Sequence, residues 1–327
     1  MSEERFLVTG AMGCIGAWVV RNLVKEGIPT AVFDLSEDNL RLRLLMSDEE
    51  IARVRVIKGS VADLEAVKGA ISESRASHVV HLAALQIPFC KADPSLGSQV
   101  NVVGTVNMFE AIRQSEGRVK GFCFASSAAA YGPDTLYPDK PVLEDASLKP
   151  NTLYGVYKQA NENTGRVYWQ DWQVSSVGLR PHTVYGVARD QGMTSDLAKA
   201  VLAAVAKRPF HIKFSGPVCL QYTDDAARMF IGAARSGYEG AMVCNMRNDV
   251  IEVAEFVEIL KSAVPDARIT YEETNVIPFP ADLSDANLRG LLPSVPYTPL
   301  KEAFAQMIPQ YQDLLSRGLV NLDQLEA

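Results

Sequence analysis

Along the first 180 residues, short apolar runs alternate with longer stretches whose apolar positions recur every three or four residues. Arg5-Phe6-Leu7-Val8, Thr30-Ala31-Val32-Phe33, Val54 to Lys58, His78-Val79-Val80-His81-Leu82, Val119 to Ala125 and Val174 to Leu179 predict strands. Ile15 to Lys25, Leu64 to Ser72, Val100 to Gln114 and Tyr154 to Trp169 predict helices, with shorter ones over 39–46 and 49–54. Gly27 and Pro29 stop the first helix. Strands this apolar are buried on both faces, so the alternation predicts α/β architecture: a doubly wound parallel sheet between two helical layers.

After Arg180-Pro181 the rhythm changes. Residues 181–220 read as loops around one helix, Ser195 to Lys207. Helices follow over 223–235, Val253 to Ala263 and Leu300 to Arg317. Pro265, Pro278, Pro280, Pro293, Pro296 and Pro299 crowd the last third, which suits a smaller, loop-rich module.

Length sharpens this picture. At ~150 residues per domain, 327 residues make about two domains. Such a chain buries a full core without a disulfide or metal staple. Hydrophobic residues are 47% and charged residues 22%, which excludes a disordered chain. The formal charge is 32 − 39 = −7, unsuited to nucleic acid or an anionic membrane. Cys14, Cys90, Cys123, Cys219 and Cys244 are scattered, without a CxxC pair, and Met1-Ser2-Glu3-Glu4-Arg5 leads directly into a strand. Both features suggest a reduced, cytoplasmic protein. His78 and His81 fall on opposite faces of their strand, so no metal site is expected there. No run reaches the ~18 apolar residues of a membrane span.

The first strand runs into Thr9-Gly10-Ala11-Met12-Gly13-Cys14-Ile15-Gly16. In such a strand-to-helix turn the first glycine permits the bend, the second admits a pyrophosphate and the third lets helix and strand pack. The helix N-terminus adds free N–H groups. Asp34 ends the second strand, 18 residues after Gly16, where a carboxylate accepts from ribose hydroxyls and repels a 2′-phosphate. That favours NAD over NADP. Neither Ala11 nor Met12 could pair such a phosphate, although Arg41 and Arg43 follow closely.

Tyr154 and Lys158 sit at i and i+4 on one helix face. A free tyrosine titrates near 10, and an adjacent ammonium or an oxidised nicotinamide ring would lower that value. Tyr157 points elsewhere. Ser126-Ser127 follows the fifth strand at the carboxyl edge, where open α/β sheets bind ligands.

Together these residues resemble the extended short-chain dehydrogenase/reductase superfamily, specifically its NAD-dependent epimerase/dehydratase family. The matches are Gly10-x-x-Gly13-x-x-Gly16, Asp34, His81-Leu82-Ala83-Ala84, Asn101-Val102-Val103-Gly104-Thr105, Ser126-Ser127-x-x-x-Tyr131-Gly132, Tyr154-x-x-x-Lys158 and Arg180-Pro181-x-x-Val184-Tyr185-Gly186. The resemblance implies a Rossmann-type sheet with a smaller C-terminal α/β substrate-binding module. Residues 1–180, with 217–240 returning, would form the NAD domain, and 181–216 with 241–327 the module. Tyr154 would be the general base, Lys158 would tune it and hold the nicotinamide ribose, and Ser127 would be the catalytic serine. Gly10, Met12, Gly13, Cys14, Ile15, Gly16 and Asp34 would hold the cofactor from one side. Ser60, Val61 (or Asp63), Leu82, Ala83, Ala84, Ala125, Pro181, Thr183 and Val184 would complete its groove. Asn101 would organise the Lys158 environment, with a helix N-cap as its plain alternative. Gln86, Ser126, Ser127, His182 and Arg189 would reach the substrate. Family members often pair through two long helices, which here would make a homodimer over Val100–Gln114 and Tyr154–Trp169.

Departures narrow the chemistry. Ala128 and Ala129 stand where relatives carry the acid, base or cysteine of dehydration, decarboxylation or 3,5-epimerisation. Hydride transfer at a secondary alcohol remains, as net oxidation or reduction or as epimerisation. Val218 replaces an arginine that often pairs with a nucleotide diphosphate, and Thr183 replaces the usual asparagine. A free sugar, sugar acid or similar small hydroxylated compound is therefore the expected substrate. Lys207, Arg208, Lys213, Arg247 and Arg289 are the cations that could restore a diphosphate grip. The alternatives are a nucleotide-sugar 4-epimerase and a non-catalytic NAD-binding sensor or scaffold.

Overall fold

A computed structural model describes residues 4–326 of the chain. Six parallel strands come from the first 180 residues: β1 (Phe6–Thr9), β2 (Thr30–Asp34), β3 (Arg55–Lys58), β4 (His78–His81), β5 (Gly121–Ala125) and β6 (Ser176–Arg180). Side chains alternate across them. Leu7, Phe33, Val79, Phe122 and Phe124 enter one core, while Phe6, Val8, Val32, Val80 and Cys123 enter the other. Helices Leu64–Ser74, Gly104–Arg113 and Leu153–Trp172 lie on one side, and Cys14–Lys25 with Thr223–Arg235 on the opposite side.

Six further short strands follow: β7 (Thr183–Tyr185), β8 (Phe210–Ile212), β9 (Pro217–Tyr222), β10 (Ala241–Asn245), β11 (Asp249–Glu252) and β12 (Ile269–Tyr271). The sequence pattern had read 181–220 as loops around one helix, so β7, β8 and β9 correct it. β7 and most of β9 are buried throughout, so no alternation marks them, and β8 does alternate but is only three residues long. β10 pairs in parallel with β6 and completes a seven-stranded sheet ordered β10-β6-β5-β4-β1-β2-β3. The segment returning to the large sheet is thus Thr223–Asn245 rather than 217–240. Residues 217–222 belong instead to a small sheet, β11-β9-β7, beside a parallel β12-β8 pair.

The large sheet reverses its order between β1 and β4, whose C-terminal residues Thr9 and His81 are paired. A crevice opens beyond such a reversal. The Gly186–Ser195 loop, between β7 and helix Asp196–Val205, closes over it. Trp18 Nε1 donates to the Val187 carbonyl at 2.9 Å and ties this loop to the first helix.

Candidate active site

The chain leaves β1 through Gly10, at φ +66°. A side chain there would press on the Ala83 backbone nitrogen at 2.6 Å, and one at Gly16 would run into the Gly10 carbonyl. Helix Cys14–Lys25 starts at Gly13 with no side-chain cap, leaving first-turn N–H groups for a ligand. Asp34 Oδ2 accepts from Met12 N at 3.0 Å and Oδ1 from Ser36 N at 3.1 Å. An uncapped helix start beside a carboxylate fits a dinucleotide's pyrophosphate and ribose diol. Arg41 is not free for a 2′-phosphate. Its Nε and Nη2 reach Asp190 Oδ1 at 3.0 and 2.8 Å, and Nη1 reaches the Met12 carbonyl at 2.8 Å. Arg43 is exposed and does not border the cavity.

A cavity of about 570 Å³ runs from Asp34, Leu35, Ser36 and Asp38 to Arg189, Met193, Thr194 and Phe279. Gly10, Met12, Gly13, Cys14, Ile15, Gly16, Ser60, Val61, Leu82, Ala83, Ala84, Ala125, Pro181 and Val184 line it, as do Gln86, Ser126, Ser127, Tyr154, Lys158 and His182. Of the expected residues, Asn101, Thr183 and the alternative Asp63, which caps the helix Leu64–Ser74, do not. Thr183 is fully buried, sharing a 2.9 Å hydrogen bond with His182 Nδ1. Asn101 is not a helix cap either: it lies inside a π-helical turn, Gln99–Val103, and bonds the Leu85 nitrogen and carbonyl at 2.7 and 2.9 Å. Leu35, Asp38, Met193 and Phe279 were not anticipated. Phe279 meets the His182 ring edge-on at 5.2 Å, a contact across 97 positions that no local pattern announces.

Ser127, Tyr154 and Lys158 converge mid-cavity. Ser127 begins a short turn, accepting from Ala129 N at 3.1 Å, and its hydroxyl hydrogen-bonds Tyr154. Thr152 caps the helix that carries Tyr154, accepting from Gly155 N at 3.1 Å. One turn on, Lys158 Nζ donates to the Ala125 carbonyl at 2.6 Å and sits 5.4 Å from the Tyr154 ring centre. Burial pulls the lysine down to about 8. It pushes Tyr154 up to about 12, outweighing the Ser127 hydrogen bond and the Arg189 charge, which pull the other way. The depression expected from the sequence is therefore absent in the chain alone. Tyr157 does point away, donating to the Pro94 carbonyl at 2.9 Å.

Two buried networks hold these groups. Ser126 borders the cavity, but its hydroxyl donates to Glu162, so it is not free to hold substrate. Glu162 also receives Arg180 Nε and Nη2, both at 2.7 Å, a bidentate pair almost sealed from solvent. Arg180 continues to the Tyr131 hydroxyl at 2.6 Å. In the second network every hydrogen can be placed. Thr105 Oγ1 donates to the Asn101 carbonyl at 2.9 Å, so it accepts His81 Nε2–H at 3.1 Å. His81 Nδ1 is then bare and accepts from Thr9 Oγ1 at 2.7 Å, and Thr9 accepts Ala83 N–H at 3.2 Å. The chain of bonds joins the glycine turn to the π-helical turn.

Residues 6–243 match the profile described as the NAD dependent epimerase/dehydratase family. The chain belongs to that family. Its NAD dependence agrees with the cradle and with Asp34. UDP-glucose 4-epimerase of Mycolicibacterium smegmatis is 30% identical over 212 residues, 63% of this chain and 66% of that protein. UDP-glucuronate 4-epimerase 2 of Arabidopsis thaliana is 28% identical over 238 residues, 69% of this chain and 53% of that protein. The chain thus spans about half to two thirds of the length of these curated relatives. In fold it is similar to UDP-glucose 4-epimerase of Thermotoga maritima, solved with UDP-glucose, at a TM-score of 0.80 and 22% identity over 95% of this chain and 99% of that one. Among the described residues no helix is long and apolar enough to cross a membrane.

Proposed function

We propose that this family member is an NAD-dependent oxidoreductase or epimerase acting at a secondary alcohol of a sugar, sugar acid or similar small hydroxylated compound. The observation that carries the reading is the meeting of Ser127, Tyr154 and Lys158 inside the cavity that the glycine turn opens. NAD, when bound, supplies the hydride acceptor and a positively charged ring. Ser127 holds the reacting oxygen. Tyr154 exchanges that oxygen's proton at its hydroxyl. With its value near 12 the hydroxyl is protonated at neutral pH, so the chain alone is set to give a proton to a carbonyl. Taking one from an alcohol requires further positive charge in the site. Lys158, fixed under the ring by the Ala125 carbonyl, keeps its ammonium within reach of the tyrosine and a ribose.

The relatives favour a second reading, a nucleotide-sugar 4-epimerase. Incubation with NAD and a panel of free sugars, sugar acids and nucleotide sugars separates these readings. Net NADH marks a dehydrogenase, and an isomer without NADH marks an epimerase. If Tyr154→Phe abolishes any turnover yet leaves the protein's function in the cell unchanged, the non-catalytic sensor or scaffold is favoured; if turnover persists undiminished, Tyr154 is not the proton-transfer group.

Two copies are proposed to pair through the helices that carry Val103, Val156 and Val167. These apolar side chains stay 44%, 44% and 37% exposed in one chain. A monomeric mass by light scattering would contradict this pairing. A cytoplasmic site of action suits the free cysteines among the described residues.

A further inference from the structure

We infer that the substrate is a small hydroxylated monocarboxylate, its carboxylate taken by Arg189, and not a diphosphate-linked sugar. The inference rests on the hydride-transfer reading above and names the class of compound that enters the same cavity.

The charges at the cavity decide the matter. Three basic side chains other than histidine border it among the described residues: Arg41, Lys158 and Arg189. Arg41 is committed to Asp190 and the Met12 carbonyl. Lys158 is committed to the Ala125 carbonyl beneath Tyr154. Burial lowers His182 to about 4, so it is neutral. Arg189 differs. Its one side-chain hydrogen bond is long, Nη2 to Thr194 Oγ1 at 3.3 Å, and its buried Nε has no partner. An unpartnered guanidinium nitrogen in a buried place is costly unless a ligand completes it.

The local backbone keeps this group in position. Gly192 is at φ +99°, and a side chain there would collide with Gln86 Oε1 and come within 3.1 Å of Arg189 Nη2. Gln86 and Arg189 therefore meet over a glycine, a polar pair at the substrate end. The Arg189 charge also reaches Tyr154. Arg189 and Tyr154 line one cavity, so a ligand held by the guanidinium lies in the same space as the tyrosine.

A diphosphate finds no comparable grip. Val218, at the position where an arginine often serves, is fully buried in β9. Lys207, Arg208, Lys213, Arg247 and Arg289 do not border the cavity. Arg247 is bound to Asp282 and to the Leu283 carbonyl, and Arg289 to Asp285. One guanidinium fork matches one carboxylate, whereas the second charge of a diphosphate would be left uncompensated.

The test uses the whole protein, wild type beside Arg189→Lys and Arg189→Gln. The ligands are D-gluconate, D-glucuronate, a four-carbon aldonate, D-glucose, glucitol and UDP-glucose. NAD affinity is measured first, by calorimetry. It should be unchanged within about twofold in both variants, which also shows that they fold. A tenfold loss would assign Arg189 to the cofactor's pyrophosphate and overturn the proposal. With NAD present, at least one of the carboxylates should bind, and the neutral analogues should bind much more weakly. Arg189→Gln should weaken carboxylate binding roughly 10- to 100-fold, and Arg189→Lys less. Binding of UDP-glucose at low micromolar concentration, or of no carboxylate, overturns it. Carboxylate binding lost in Arg189→Gln but without turnover would leave the proposal standing and sink the hydride-transfer reading instead.

Discussion

His81 gives a test of the buried network that needs neither substrate nor cofactor. Both ring nitrogens are satisfied only in the neutral Nε2–H form, because Thr105 must accept and Thr9 must donate. Burial, and then the Lys158 charge, push its value from 6.5 to about 3. The unfolded chain therefore binds a proton below about pH 6.5 that the folded chain refuses. Stability rises with pH wherever the unfolded state holds more protons, so it must fall as the solution is acidified through this window. Each pH unit costs up to roughly 1.4 kcal/mol for one such group, and because the unfolded histidine is half protonated at about pH 6.5, about 2 kcal/mol is lost between pH 6.5 and 4.5. His81→Gln cannot titrate and keeps one of the two hydrogen bonds. At about pH 8 it should be less stable than wild type by about 1–3 kcal/mol, the cost of leaving one threonine unpaired. By about pH 4.5 that deficit should vanish or reverse. The lowered values of His78 and His182 act in both proteins and cancel in the difference. The assay is urea unfolding across the pH range. Wild-type and variant curves that run parallel would refute the neutral, doubly bonded histidine.

Other outcomes follow from the same geometry. Tyr154→Phe should lower kcat by about 100- to 10,000-fold while NAD affinity, measured by fluorescence titration, stays unchanged. Glu162→Gln leaves the Arg180 guanidinium buried beside a neutral amide, and should cost about 3–5 kcal/mol in denaturant unfolding. A stability equal to wild type would show that the pair does not brace the end of β5. Val156→Arg places charge on the exposed helical face and should convert a dimer to monomers in light scattering, with the far-ultraviolet spectrum unchanged.

The first half of the fold was legible because its signals are local. A strand that ends in Gly10, with Gly13 and Gly16 behind it, has few other uses, and the acid at Asp34 falls at the next strand end. Helix periodicity puts Tyr154 and Lys158 on one face and the strand end presents Ser126-Ser127, while the choice of Ser127 and the joining of the three rested on the family resemblance. The misreadings have the opposite cause. β7, β9 and β10 exist because partners distant in sequence complete them: Thr183 pairs with Leu220, and Ala241 with Ser176. Ser126 looked free because nothing near it in sequence claims its hydroxyl; Glu162 does so from 36 positions away. The plain alternative for Asn101, a helix cap, fails because the residue lies inside a π-helical turn and its amide is taken by Leu85, 16 positions back. The lowering expected at Tyr154 counted on an oxidised nicotinamide ring as well as on Lys158, and the chain alone does not supply that ring. Sequence adjacency suggested that Lys158 would govern the tyrosine, yet burial, which no spacing reveals, outweighs every charge around it.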